Sequence, residues 1–130
     1  MYVIKRKKAI KKMITKVWKN DMPQISGNIA YYVLLQDGHR RYLKIGTSTR
    51  GTKRFKDRDY SKYSKITPLF IFEIDSLNGI YDFEDLNKVY LRNLKGLSWI
   101  QNDRFTFFLL PEELPIFTNE ERDVFITIKQ

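Results

Sequence analysis

The chain of 130 residues contains no cysteine. That excludes disulfide stapling, cysteine-ligated zinc and thiol catalysis, and it permits a reducing, cytoplasmic compartment. Long apolar runs are missing too. None approaches the roughly 18 residues that a membrane-spanning helix needs, so no membrane partner is expected. The chain starts basic, but no continuous apolar stretch follows, which argues against a secretory signal. Its first 20 residues hold eight lysines and arginines and not one acid. Internal repeats and low-complexity linkers are likewise absent.

Hydrophobic residues make up 42% of the sequence and aromatics 15%. This suffices for one core filled by large rings, and the length fits one domain. The division that composition suggests is a basic arm, residues 1–22, ahead of a single domain over residues 23–130. The net charge of +9 is unevenly placed. Beyond the cations of the arm, residues 39–65 carry ten basic and two acidic residues, and the remainder is net acidic. Charge gathered in two places suits a polyanion such as DNA better than a general solubility surplus does.

Residues 29–58 organise the chain. Two short apolar runs flank Asp37-Gly38, a dipeptide that accepts the positive backbone angles of a tight turn, and a basic helical segment follows. The pattern reads strand, turn, strand, helix. With Asp37-Gly38 as the two-residue loop, Tyr31 faces Lys44, Tyr32 faces Leu43 and Val33 faces Tyr42. Ala30, Tyr32, Leu34, Leu43 and Ile45 then share the face expected to be core, while Tyr31, Tyr42 and Lys44 share the other.

Tyr31, then Lys44-Ile45-Gly46-Thr47, then Arg54 eight positions after the glycine, resembles the GIY-YIG nuclease superfamily, particularly its phage and viral branch in which KIG replaces YIG. Ile29-Ala30-Tyr31 stands for GIY, Lys44 replaces the second tyrosine, and Arg58 sits where many members carry a histidine. The resemblance spans about residues 29–108. It implies an α+β fold with a small mixed or antiparallel sheet of about three to four strands flanked by helices. It also implies DNA cleavage around one Mg²⁺ or Mn²⁺. On that basis Tyr31 or its neighbour Tyr32, Lys44, Arg54 and Arg58 are the catalytic candidates, and Glu84 is the candidate metal ligand.

The rest of the chain frames this motif. Between Lys5 and Lys19, the residues Ile10, Met13, Ile14, Val17 and Trp18 recur at helical spacing, which predicts an amphipathic helix ending near Asn20. Its lysines, Lys8 and Lys12 among them, are candidate phosphate contacts, although a solvated face or a membrane-surface helix fits the same pattern. Residues 47–52 supply hydroxyls before a helix expected to start near Thr52, for anion contact or for capping. Arg41, Thr47, Arg50 and Lys53 are candidate nucleic-acid contacts. Arg54 and Arg58 lie four apart and share a helix face. The guanidinium of Arg54 either clamps a phosphate or pairs with Asp57 or Asp59.

Residues 59–65 read as a loop whose Tyr60 and Tyr63 stack on bases or pin the loop to the core. Residues 69–74 form a nearly continuous apolar strand, and residues 75–79 a turn. A second helix is expected from Tyr81 to Leu94, with Asp82 as its amino-terminal cap, Gly96 as its stop and Phe83, Leu86, Tyr90 and Leu94 facing inward. Glu84 falls at the edge of that stripe, as a cleft-facing carboxylate or as an ordinary first-turn acid favoured by the macrodipole. Trp99-Ile100 and residues 104–110 predict a further strand after a turn at Gln101-Asn102-Asp103.

Together these parts predict phosphodiester hydrolysis. Tyr31 positions or deprotonates the attacking water, Lys44 beside it favours the phenolate, Arg54 stabilises charge on the phosphate and Glu84 holds the metal. Two rivals stand beside it. One is a nucleic-acid-binding module with the same fold and no catalysis; the other is a phage or viral protein that binds a host protein.

Overall fold

The computed structural model describes residues 12–92, 98–102 and 105–109. Its elements in chain order are β1 (Ile14–Lys19), β2 (Ile29–Asp37), β3 (Arg40–Ser48), a 3₁₀ helix (Gly51–Lys56), α1 (Arg58–Ser61), β4 (Lys65–Ile74), α2 (Leu77–Arg92), β5 (Ser98–Asn102) and β6 (Phe105–Leu109). The strands form one sheet in the order β1-β4-β2-β3-β6-β5, antiparallel at every neighbouring pair. The α+β class and the antiparallel sheet agree with the sequence reading, but six strands replace the expected three to four. No helix among the described residues is long and apolar enough to cross a membrane.

The largest departure is at the amino terminus. The helix expected over residues 5–19 is a strand from Ile14 onward, paired with β4 from Ile14 opposite Ile74 to Lys19 opposite Phe70. Its apolar residues are mostly β-branched or aromatic, which fits a pleated surface better than a helix. The outer edge of β4 also offers backbone groups that a helix would leave unpaired. Trp18 locks the pairing by donating its indole N–H to Glu73 Oε2 at 2.8 Å, with the Lys16 ammonium 3.8 Å over its ring. Lys8 and the start of the expected helix lie outside the described residues; Lys12 is exposed.

The β2–β3 hairpin forms, with a register two residues from the expected one. Asp37 pairs with Arg40, leaving Gly38-His39 as the loop, and Gly38 carries φ +61°. A positive φ at the first loop residue and not at the second is the pattern of a type II′ turn. Tyr31 therefore faces Gly46, Tyr32 faces Ile45 and Val33 faces Lys44. A shift of two preserves which face each side chain takes, so the expected face partition stands.

Both faces of β2 are covered, as its unbroken apolar run from Ile29 to Leu35 requires. On one face Ala30, Tyr32, Leu34, Leu43, Ile45, Phe70 and Phe72 pack with Ile80, Phe83 and Leu91 of α2. On the other, Ile29, Tyr31, Val33, Leu35 and Ile71 pack with Tyr60 of α1 and with Phe55 of the 3₁₀ helix. The sheet is thus the middle of three layers.

The basic helix is broken. The 3₁₀ turn over Gly51–Lys56 ends at Asp57, which is extended (φ −67°, ψ 155°), before the single turn of α1. Arg54 and Arg58 therefore do not share one helix face. Helix α2 begins four residues earlier than expected, at Leu77. Its cap is Ser76, whose Oγ accepts the N–H of Gly79 at 3.1 Å, and Asp82 lies inside the helix. Gly79 read as a turn residue. Its actual constraint is space, since a Cβ there would sit 2.7 Å from Met13 Sδ and 2.9 Å from an Ile74 methyl. Leu94 and Gly96 lie outside the described residues.

Candidate functional site

The motif residues meet beyond one end of β3. Strand β6 pairs with β3 at Tyr42, Lys44 and the residue between them, so the Gly46–Ser48 end of β3 runs past that ladder. There the 3₁₀ helix from one face and the first turns of α2 from the other come together. A cavity of about 230 Å³ at this place is lined by Thr47, Ser48, Arg50, Arg54, Ile80 and Tyr81. Glu84, one turn further along α2, accepts a hydrogen bond from Thr47 Oγ1 at 3.2 Å. The carboxylate also exerts its charge on Tyr31 and Lys44 across the end of the sheet.

Tyr31 is buried at 1% exposure and its ring covers Gly46, whose missing side chain makes the room. Its hydroxyl shares a 2.5 Å hydrogen bond with the hydroxyl of Tyr60, and Phe55 packs edge-on at 4.6 Å. Burial pushes the phenol up to about 12, outweighing the opposing hydrogen bond from Tyr60 and the Arg54 charge. This corrects the expectation that Lys44 draws Tyr31 toward the phenolate: the desolvation cost of an anion there dominates. Tyr32 points to the opposite face, among the rings of Phe70, Phe72 and Phe83, which places it in the core away from Arg54.

Lys44 is the more perturbed group. At 3% exposure, burial and the nearby Lys88 ammonium bring its amine down to about 7, against the opposing pull of Glu84. Lys88 itself sits 2.6 Å from Glu84 Oε1. Glu84 is thus an acid flanked by the cations Lys44 and Lys88, with Arg54 also acting on Lys44.

Arg54 is held by acids from its own segment. Its Nη1 donates to Asp57 Oδ2 at 2.8 Å and its Nη2 to Asp59 Oδ2 at 3.3 Å, with the guanidinium 5.0 Å over the Tyr60 ring. Arg50 donates to the same Asp57 oxygen, and the Arg50 and Arg54 guanidiniums hold that carboxyl below its ordinary range. Of the two readings the sequence allowed for Arg54, pairing with Asp57 and Asp59 is the arrangement seen, and it points the guanidinium into the cavity wall.

The other candidates scatter. Arg58 is exposed on α1. Arg41 lies near the hairpin loop, five residues up β3 from Gly46 and so roughly 17 Å away. Lys53 lines a different cleft. Thr47 and Arg50 do belong to the site, Thr47 by orienting Glu84. The hydroxyls expected to cap the helix serve other ends: Ser48 Oγ accepts the N–H of Arg50 and Thr52 Oγ1 accepts that of Ile25. Of the two readings the sequence allowed for Tyr60, pinning its segment to the core is the arrangement seen, and the tertiary fold brings its hydroxyl to Tyr31. Lys88 is a site residue outside the sequence candidates, legible as the i+4 partner of Glu84.

Among the described residues, no three His, Cys, Asp or Glu side chains group as a metal cage. Glu84 is the carboxylate that would hold a hard divalent ion keeping most of its waters, and binding there would displace the Lys88 contact. No protein-family model, curated protein or solved structure matches this chain.

Proposed function

We propose that the chain is a divalent-metal-dependent DNA endonuclease built on the GIY-YIG plan, hydrolysing phosphodiester bonds. The observation that carries this reading is the arrival of a carboxylate, Glu84, and a guanidinium, Arg54, from distant parts of the chain at the same end of β3. Mg²⁺ or Mn²⁺ bound at Glu84 would supply Lewis-acid stabilisation of the leaving oxygen. Arg54, turned from its aspartates to a phosphate, stabilises the charge that builds there. Tyr31 keeps its proton and acts as a hydrogen-bond donor. Lys44, whose amine is near 7, is the group with a pKa suited to accept the proton of the attacking water.

The second reading, a nucleic-acid-binding module without cleavage, is favoured by two features: Arg54 is already paired and Tyr31 is buried. Supercoiled plasmid separates the two. Nicking that needs Mg²⁺ or Mn²⁺, stops with EDTA and falls at least 100-fold in Glu84→Ala supports hydrolysis, a loss of the size that removing one charge-stabilising group produces. Binding without nicking supports the module.

A further inference from the structure

A second cleft lies on the far side of the 3₁₀ helix from Arg54. It measures about 580 Å³, within the range of roughly 300–1,000 Å³ typical of small-molecule sites. Met22, Ile25 and Phe55 give it apolar walls, and Lys53, Lys56 and Gln24 stand at its rim. Among the described residues, no acidic side chain lines it.

The cleft is built, because its two walls are fastened to each other. Thr52 N–H donates to Ile25 O at 2.9 Å, and Ile25 N–H donates to Thr52 Oγ1 at 3.1 Å. Gly51, at φ +61°, presents no Cβ where the Ile25 carbonyl sits, and any larger residue would force the walls apart. Phe55 connects the cleft to the site, since its ring contacts both Tyr31 and Tyr60.

We infer that this cleft receives an unstacked base of the DNA strand whose phosphate is bound at Arg54, with Lys53 and Lys56 taking the phosphates on either side. This rests on the functional reading above and extends it to substrate class: a strand that is single or locally opened. An apolar slot with an aromatic wall and cations but no acid at its mouth matches a nucleobase on a polyanion.

The test compares the full chain's affinity for a thymidine oligonucleotide with that for an abasic oligonucleotide of the same length and charge. We expect the base-bearing strand to bind about tenfold more tightly, the gain one stacked base provides. Met22→Glu places a carboxylate in the cleft at a half-buried position outside the site. It should abolish that preference and leave abasic binding within about threefold. Circular dichroism melting confirms that the variant is folded, and Met22→Gln serves as an uncharged second variant should it not be. Equal affinity for the two strands in the parent protein, with metal-dependent nicking intact, overturns the cleft and spares the nuclease. A preference that survives in the folded Met22 variants places the base elsewhere and overturns the cleft as well. Failure to bind either strand overturns the cleft, and nicking of supercoiled plasmid then decides the nuclease reading on its own.

Discussion

Tyr31 and Gly46 face each other across β2 and β3, and the tyrosine ring fills the space that any side chain at position 46 would need. The second motif's glycine is thus a consequence of the first motif's tyrosine. It explains why the two short motifs, 15 residues apart, act as one structural unit.

Gly46→Ala should cost about 1–3 kcal/mol, the usual penalty of overpacking a filled core. The ring cannot retreat, since Phe55 stands 4.6 Å behind it and Tyr60 holds its hydroxyl. Urea denaturation gives the loss, and repeating it with Leu at position 31 should shrink the penalty. An equal penalty in both backgrounds would show that the tyrosine is not the reason for the glycine.

The Tyr31–Tyr60 hydrogen bond joins two phenols that burial keeps protonated. Either single Phe substitution removes one hydroxyl and takes from the other its buried partner, at roughly 1–3 kcal/mol. The double substitution removes both and should cost less than the two singles combined. A double-mutant cycle reads the coupling, and strict additivity would mean that the hydroxyls do not depend on each other.

Much of this arrangement was legible in the sequence, and the failures have physical causes. The face partition of the hairpin was correct because side-chain alternation survives a two-residue slip. The register was not, because Asp37-Gly38 and Gly38-His39 both make acceptable tight loops, and only the positive φ of Gly38 selects between them. The amino-terminal segment satisfied a helical period and a strand's β-branched composition at once; pairing with β4 decided it, a long-range effect no local window contains. For the site, Arg54, Glu84 and Thr47 came from the motif, and Arg50 from the hydroxyl-rich stretch before the helix. Lys88 could be read from its i+4 spacing to Glu84, whereas the meeting of Tyr60 with Tyr31 came from folding. The depressed amine of Lys44 came from burial on a face that the motif alone left open.

Lys44 should make stability depend on pH in a defined window. Its amine lies near 10.5 in the unfolded chain and near 7 in the fold, so between those values the unfolded state binds more protons. Stability should therefore rise as pH climbs from about 7 and continue to gain toward 10. Tyr31 and Tyr63, both pushed up to about 12, begin to oppose the trend only above 10. Lys44→Met should flatten the profile between pH 7 and 9.5 and raise the melting temperature more at pH 6 than at pH 9.5. A parent protein whose stability does not change across that window would show that the ammonium is not strained by its surroundings.

Asp57 restrains the two arginines that face the cavity, taking Arg50 and Arg54 on a single oxygen. Asp57→Asn keeps the shape and removes the charge. Because the pair is exposed to solvent screening, folding stability should change little. The backbone bonds Asp57 makes to Arg54 and Tyr60 are untouched. Arg54 keeps its bond to Asp59, so Arg50 is the guanidinium released, and each phosphate neutralised adds about 0.9 to the slope of log affinity against log salt on duplex DNA. The substitution should therefore tighten DNA binding at low salt and steepen that slope by about one. Fluorescence anisotropy across a salt series measures both quantities. A slope that stays the same or falls would mean that these arginines serve the fold and not the polyanion.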